Sequence, residues 1–345
     1  MTKILTFCAA SAEGLPSSAL ELLAAGRRLA DQLEEADVLA LLVGAGVEDH
    51  AEKVIQHGAD QVFVVSHPRL ETQEDEIMLG VAEMAVRQLS PDVIIFPHDE
   101  LSGGHVAPRL AHRLGTAIVT ECTDFEVTGR TNGRTINVRN IRDGAIRWLR
   151  PVYGGKAMAY MSNKGPVELA TIRALSFDPL EPDTTRQGQV QSLELDVASI
   201  SPQVALVDQI VEAEEFEGLR LDQADIIVSG GRGMDEKENF AVLRELADIL
   251  GAAVGGSRPA ADLGWVPHSH LVGQTGKIVA PNLYIAVAIS GAPQHMSGAG
   301  SAKTIVAINK DEDAPIFKVA HIGVVDEWQN VIPTIIDECK KPASD

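Results

Sequence analysis

The chain has 345 residues, of which 45% are apolar and 30 are glycine, enough for two domains that each bury a core of their own. Its 49 acidic residues against 29 basic ones leave a formal charge of −20, which repels nucleic acid and anionic membrane surfaces and sets both aside as partners. Cys8, Cys122 and Cys339 are far apart and odd in number, so they suit a reducing compartment and offer neither a disulfide framework nor a CxxC metal spacing. No metal is expected. Met1-Thr2-Lys3 runs straight into the short apolar stretch Ile4 to Phe7, and no apolar run nears the roughly twenty residues of a membrane span, so a soluble, cytoplasmic protein without membrane insertion is expected.

In chain order, apolar strand-like runs at Ile4–Cys8, Val38–Val43, Val62–Val65 and Val93–Phe96 alternate with helical-period stretches at Ser17–Glu35, Glu48–His57, Glu74–Leu89 and Val106–Leu114. Short, wholly apolar strands between amphipathic helices predict a parallel sheet covered on both faces. From Ala117 to Leu175 the runs are strand-like with short connections, including Asp143-Gly144 as a hairpin turn, and should extend the sheet at a partly antiparallel edge. The polar, Pro-containing stretch Asp178–Gly218 reads as a linker. A second α/β pattern opens with the strand Ala224–Ser229 and the turn Gly230-Gly231-Arg232-Gly233. A helix follows with apolar face Phe240, Leu243, Leu246, Ala247 and Leu250, Asp235 and Glu238 as a capping box, and Gly251 as its stop. Further strands are predicted at Lys277–Val279, Tyr284–Ile289, Thr304–Asn309 and Phe317–His321. The fold class is therefore α/β with two doubly wound domains: residues 1–210, mostly parallel with an antiparallel edge, and a smaller Rossmann-like domain at 218–345.

Several features bear on chemistry. A strand, glycine turn and helix at Ala224–Leu250 make an anion-accepting shape, to which Arg232 adds a charge, but the third glycine of the dinucleotide fingerprint is missing. Ser297 to Thr304 is not a P-loop, because Ser297 and Ala302 stand where that motif has glycine. His98, Asp99, Glu100 and His105 follow a strand end without a shared helix face, which suits a polar loop better than a metal centre. Arg130, Arg134, Arg139, Arg142, Arg147 and Arg150 form a basic run in an acidic chain, either a solvated hairpin or a strip facing an acidic partner.

The last third is denser. Ser257-Arg258-Pro259-Ala260-Ala261-Asp262, Val272-Gly273-Gln274-Thr275-Gly276-Lys277, Ser290-Gly291-Ala292-Pro293-Gln294-His295 and Thr304–Asp311 each place small residues, backbone amides and one or two polar side chains at a strand-to-loop junction. A large, flat, phosphate-bearing cofactor needs such close backbone approach. In this order, with Ser229-Gly230-Gly231-Arg232-Gly233, the blocks closely resemble the alpha subunit of electron-transfer flavoprotein, densely from about Asp225 to Pro333 and mainly in architecture before that.

The resemblance implies a heterodimer with a beta subunit that carries AMP, and FAD in the C-terminal domain of this chain. It implies cofactor contacts from Arg232, Ser257, Arg258, Val272, Gly273, Gln274, Thr275, Ser290, Gly291, Ala292, Pro293, Gln294, His295 and Asn309. Thr275 would stand near flavin N5, Arg258 by the ring and His295 at the O2 edge, with the Ser290–Gln294 turn at the pyrophosphate. Glu327-Trp328 would lie at the adenosine end, where the family often has Asp-Leu. Pro293 replaces the family's common Ile and removes one backbone donor. The function implied is electron shuttling, through the anionic semiquinone, from acyl-CoA dehydrogenase-type flavoproteins in fatty or aromatic acyl-CoA oxidation to a quinone oxidoreductase or another acceptor. The alternatives are an NADH-dependent bifurcating member, whose second FAD sits in the beta subunit, and a flavin-free nucleotide-fold subunit.

Overall fold

The structure, a computed structural model, describes residues 2–33, 35–128, 145–153, 155, 157–163, 165–204, 219–221 and 224–341. It divides into two compact units, one formed by Met1–Tyr153 and Ala157–Gln209 and the other by Gly154–Lys156 and Ile210–Asp345.

The first unit is built on strands β1 (Thr2–Ala9), β2 (Ala36–Gly44), β3 (Gln61–Ser66), β4 (Val93–Pro97) and β5 (Val119–Cys122), with helices α1 (Ser17–Gln32), α2 (Ala51–Gln56), α3 (Asp75–Leu89) and α4 (Ala107–Leu114) between them. Strands β6 (Asp124–Val127), β7 (Ile146–Val152), β8 (Ala157–Met161), β9 (Glu168–Ile172) and β10 (Gln189–Ser192) follow. Seven strands make one sheet, β10-β3-β2-β1-β4-β9-β5, in which every pairing is parallel. Both faces are covered: along β1, Ile4 and Cys8 enter the core under α1 and α2, while Leu5 and Phe7 enter the core under α3 and α4. That alternation is why the strand has to be apolar throughout.

Two predicted features are corrected. The antiparallel strands do not become members of the main sheet; β6, β7 and β8 pair with one another in a sheet of three, attached at the β5 edge, where the Thr123 amide donates to the Leu149 carbonyl (2.8 Å). The stretch read as a linker from Asp178 is largely part of the first unit. Its β10 pairs with β3, and Arg186 and Arg27 both bond the Asp60 carboxylate, at 2.6 and 2.9 Å. The Asp143-Gly144 turn, Arg130, Arg134, Arg139 and Arg142 lie outside the described residues. Arg147 is ion-paired with Glu126 and packs 4.2 Å over the Tyr160 ring, and Arg150 reaches Thr120 Oγ1 (3.0 Å) and Glu121 (3.4 Å), so these two are already engaged within the unit.

The second unit holds β11 (Ile226–Gly230), β12 (Ala253–Gly256), β13 (Leu283–Val287), β14 (Thr304–Asn309) and β15 (Ile322–Val325), with α5 (Phe240–Leu250), α6 (Arg258–Asp262), α7 (Pro293–Ala299) and α8 (Trp328–Cys339). The order β12-β11-β13-β14-β15 is parallel throughout. Strand β12 was not anticipated, and Lys277–Val279 is not a strand; Lys277 makes only an isolated bridge to Val272. The last strand lies just beyond Phe317–His321. Gly251 ends α5 at φ +62°, as its sequence position suggests, but no capping box forms: two 3-10 turns precede α5, Asp235 sits at φ +67°, and Asn239 donates its side-chain amide to the Met234 carbonyl.

In an open α/β sheet, a crevice opens at the carboxyl ends of the two strands whose connections leave to opposite faces. In the first sheet this falls between β1 and β4, where Ser18, Glu21, Pro97, His98 and Asp99 line a recess of about 30 Å³. The Leu175 amide donates to the Glu21 carboxyl (2.6 Å), and burial pushes the pKa of that carboxyl up to about 7 despite this bond.

Burial also raises the Cys8 and Cys122 thiols to about 12, whereas Cys339 is exposed. A thiol reagent at pH 8 should therefore titrate one thiol per native chain and three in denaturant; three fast native thiols would refute the packing. Glu21 gives a pH prediction. Its folded pKa lies above its unfolded value, so the stability it contributes is full below about pH 4.5 and is lost as pH rises through 7. Glu21→Gln should gain roughly 1–3 kcal/mol relative to wild type between pH 5 and pH 8, read from urea unfolding of the first unit at the two pH values.

Candidate functional site

The corresponding crevice in the second sheet is open. The connection after β11 leads to α5 on one face, and that after β13 leads to α7, whose Ala299 packs in the core of the opposite face. Between them lies a cleft of about 750 Å³, bounded by Gly231–Gly233, Ser257–Pro259, Leu271–Thr275, Ala288–Ser290 and Asn309. That volume is in the range of sites that engulf an organic ligand.

The floor of the cleft is backbone. The Gly231 amide donates to the Val287 carbonyl (2.8 Å), and a Cβ on Gly231 would stand 2.0 Å from the Ala288 carbonyl oxygen, so no larger residue fits. Ala288 itself is held at φ +53°, a conformation costly for an L-residue and found where strands end at sites. Gly291 sits at φ +81° with its Cβ position 2.5 Å from the Ile316 backbone, and Gly298 packs as closely on Gly273. These contacts lock the turn after β13 and the loop 272–275 together, helped by the Gln274 amide bonding the Gln294 carbonyl (2.7 Å).

Polar groups stand around this floor. Ser257 is positioned as the N-cap of α6 but makes no capping bond, and its buried Oγ has no partner; His295 Nδ1 is in the same condition. Buried polar atoms without partners are rare enough to need a reason. His295 Nε2 lies 2.9 Å from Tyr284 Oη. Burial pushes the imidazole pKa down to about 4, with the Val272 carbonyl pulling weakly the other way, so the ring is neutral at pH 7. Arg258 is exposed, 3.4 Å from Thr275 Oγ1 and 3.5 Å from Asp262. The Gly291, Ala292 and Gln294 amides have no partner among the described residues. Pro293 takes the first position of α7, where an amide would go unused by the helix, so its substitution costs the turn little.

Of the residues singled out from sequence, Arg232, Ser257, Arg258, Val272, Gly273, Gln274, Thr275, Ser290, Ala292, Gln294, His295 and Asn309 border this one cleft. Gly291 and Pro293 shape its rim. Glu327 and Trp328 line a small adjoining recess that shares Gly233, Asp235, Ala288 and Asn309 with it, where Trp328 Nε1 donates to the Gly233 carbonyl (3.2 Å). Asp235, Asp311, Ala288 and Tyr284 were missed; the two acids follow the glycine turn and Asn309 closely enough to have been suspected, but nothing local marks Tyr284. The His98–His105 loop goes elsewhere: His98 Nδ1 bonds Thr171 Oγ1 (2.8 Å) and His105 pairs with Asp75 (2.6 Å). Among the described residues no three His, Cys, Asp or Glu side chains converge as a metal site.

The residues fit a flavin nucleotide in shape, in available donors and in the two buried atoms that await partners. The family model "Electron transfer flavoprotein FAD-binding domain" matches residues 220–300, and "Electron transfer flavoprotein domain" matches residues 4–198. The electron transfer flavoprotein subunit alpha of Bacillus subtilis is 37% identical over 93% of this chain and 92% of its own length. That of Thermoanaerobacterium thermosaccharolyticum is 38% identical over 95% and 94%. The acryloyl-CoA reductase electron transfer subunit beta of Anaerotignum propionicum is 32% identical over 98% and 95%. With both of its units matched and its crevice in the FAD-binding span, the chain belongs to the electron transfer flavoprotein alpha subunit family.

Proposed function

We propose that the second unit binds FAD in the cleft at the carboxyl ends of β11 to β14, and that the chain is the large subunit of a heterodimeric, cytoplasmic electron carrier. One observation carries this reading: a glycine-floored cleft has two buried, unpartnered polar atoms, Ser257 Oγ and His295 Nδ1, and both of these residues fall in the span that matches the FAD-binding domain. Bound FAD supplies the redox chemistry, and the protein supplies binding, orientation and electrostatics. Arg232 and the Gly291, Ala292 and Gln294 amides would hold the pyrophosphate, while Gly231 and Gly291 let the backbone approach it. Val272, Gly273, Gln274 and Thr275 would hold the flavin ring, with the Thr275 hydroxyl as a donor to it and Arg258 offering positive charge. Asn309 and Glu327 serve the adenosine end, and Trp328 orients that wall.

In this reading residues 1–210 contact a beta subunit carrying AMP, and residues 218–345 carry FAD. Electrons pass from an acyl-CoA dehydrogenase-type flavoprotein to a quinone oxidoreductase or a comparable acceptor. Relatives include a subunit that serves an acyl-CoA reductase, which supports acyl-CoA chemistry at the donor or acceptor end.

Purified with its beta subunit and denatured, the complex should release one FAD and one AMP. Two FAD with NADH oxidation would instead identify a bifurcating member, and none would overturn the reading. Hydrogen exchange should show FAD protecting peptides over 230–234, 257–259, 272–275 and 288–295, with the first sheet unchanged. Arg258→Ala should retain FAD but lower its one-electron potential. The side chain is solvent-exposed, so screening reduces its effect to roughly 1 kcal/mol, about 40 mV; Thr275→Val should act in the same direction more weakly. Spectroscopic redox titration reads both, and unchanged potentials would remove these two residues from the ring environment.

A further inference from the structure

The mechanism above leaves one buried group unused. Tyr284 on β13 is fully buried, its Oη is 2.9 Å from His295 Nε2, and the two rings are 6.0 Å apart. The phenol comes from the central strand of the sheet, whose neighbours β11 and β14 hold it in register on both sides, so it is among the least movable groups near the cleft. His295 stands on the short helix α7 and is itself buried.

We propose that Tyr284 is a positioning residue: by donating its hydroxyl proton to His295 Nε2 it fixes the imidazole as the Nδ1–H tautomer and so aims the ring's single N–H donor at the cofactor-binding wall. The reasoning rests on counting protons. A neutral imidazole has one N–H, and the hydrogen bond at Nε2 settles which nitrogen carries it. Burial holds the phenol well above the ordinary tyrosine range and the imidazole well below its own, so at pH 7 both are neutral and the phenol keeps its proton; the buried Ser229 hydroxyl on β11 also acts on the phenol, as a donor to its oxygen, which leaves the phenol proton for His295. Nε2 is engaged by Tyr284, and Nδ1 closes no bond of full hydrogen-bond geometry within the protein. A phenol that donates to Nε2 leaves the ring's one proton on Nδ1, free for the cleft; the reverse arrangement would leave both the buried phenol proton and the Nδ1 lone pair without a partner.

The consequence reaches the loop. Val272 begins Val272-Gly273-Gln274-Thr275, which is tied to α7 by the Gln274 amide on the Gln294 carbonyl and by the close packing of Gly298 on Gly273. An Nδ1–H donor can close on the Val272 carbonyl as a third tie or turn to an acceptor on a bound ligand. An Nε2–H tautomer can do neither. The Tyr284 hydroxyl thereby sets both the donor and the loop that carries Thr275. This proposal rests on the FAD reading for its ligand, but its first test does not.

In the apo full-length chain, ¹⁵N–¹H long-range correlation of the histidine rings, with His295 assigned by its loss in His295→Gln, should show Nδ1 protonated and Nε2 bare. The opposite tautomer in wild type overturns the proposal whether or not any variant folds. Tyr284→Phe removes the donor at nearly constant volume. It should give a mixed or reversed tautomer at His295, bind FAD about tenfold more weakly, and shift the flavin potential in the complex with the beta subunit. A Tyr284→Phe protein that is folded by circular dichroism and has wild-type ring shifts, affinity and potential would refute the role. Absence of FAD binding in wild type with the Nδ1–H tautomer present would sink the FAD reading while leaving the Tyr284–His295 bond standing.

Discussion

The second unit depends on how closely two strand ends approach. Where β11 and β13 finish, the Gly231 amide bonds the Val287 carbonyl, and the Ala288 carbonyl occupies the space a Gly231 side chain would need. At that contact Ala288 holds a left-handed conformation, and the two connections leave to opposite faces of the sheet. A strained residue of this kind costs on the order of 1–3 kcal/mol and persists because the packed sheet around it leaves no alternative. The crevice is what remains between the diverging chains, and its floor is made of amides and carbonyls rather than side chains.

The two units show that topology alone does not make a site. Both are parallel sheets wrapped by helices, and both have a crossing point where a crevice belongs. In the first, Glu21, its carboxyl forced toward the neutral form, and the residues after β4 line a recess of only about 30 Å³. In the second, glycine stands at Gly231, Gly233, Gly273 and Gly291, and the corresponding volume stays open. Residue size at a handful of backbone positions decides between a sealed core and a binding site.

Electrostatics around the cleft follow the same economy of parts. The chain is strongly acidic overall, and Asp235 and Asp311 line the cleft as well as Arg232 and Arg258; it is the free amide donors together with the two arginines that favour an anionic ligand locally against the field of the whole protein. His295 adds no charge, because burial removes its capacity to hold a second proton at pH 7. Its contribution is directional: one donor, on one nitrogen. Neutral but oriented groups of this kind suit a low-dielectric site, where a full charge would be expensive to bury.

The sequence alone determined the two α/β patterns, the four strands that open the first unit and the stop at Gly251, because these are local properties: apolar periodicity and turn glycines. The residues that border the cleft were legible only through the resemblance of four ordered blocks to a known family. The sequence did not determine where strands pair. Gln189–Ser192 is polar and short, so it reads as linker until β3 offers an edge for it, and Ala253–Gly256 has too little side chain to announce a strand. The capping box at Asp235 and Glu238 fits a local pattern, but Asp235 ends one 3-10 turn at φ +67° and Glu238 lies inside the next, so neither is placed to cap α5. Only the tertiary structure brought Tyr284 to His295, since the two are eleven residues apart on a strand and a helix and share no pattern. Their contact arises from the direction in which β13 points its alternate side chains once the sheet has formed.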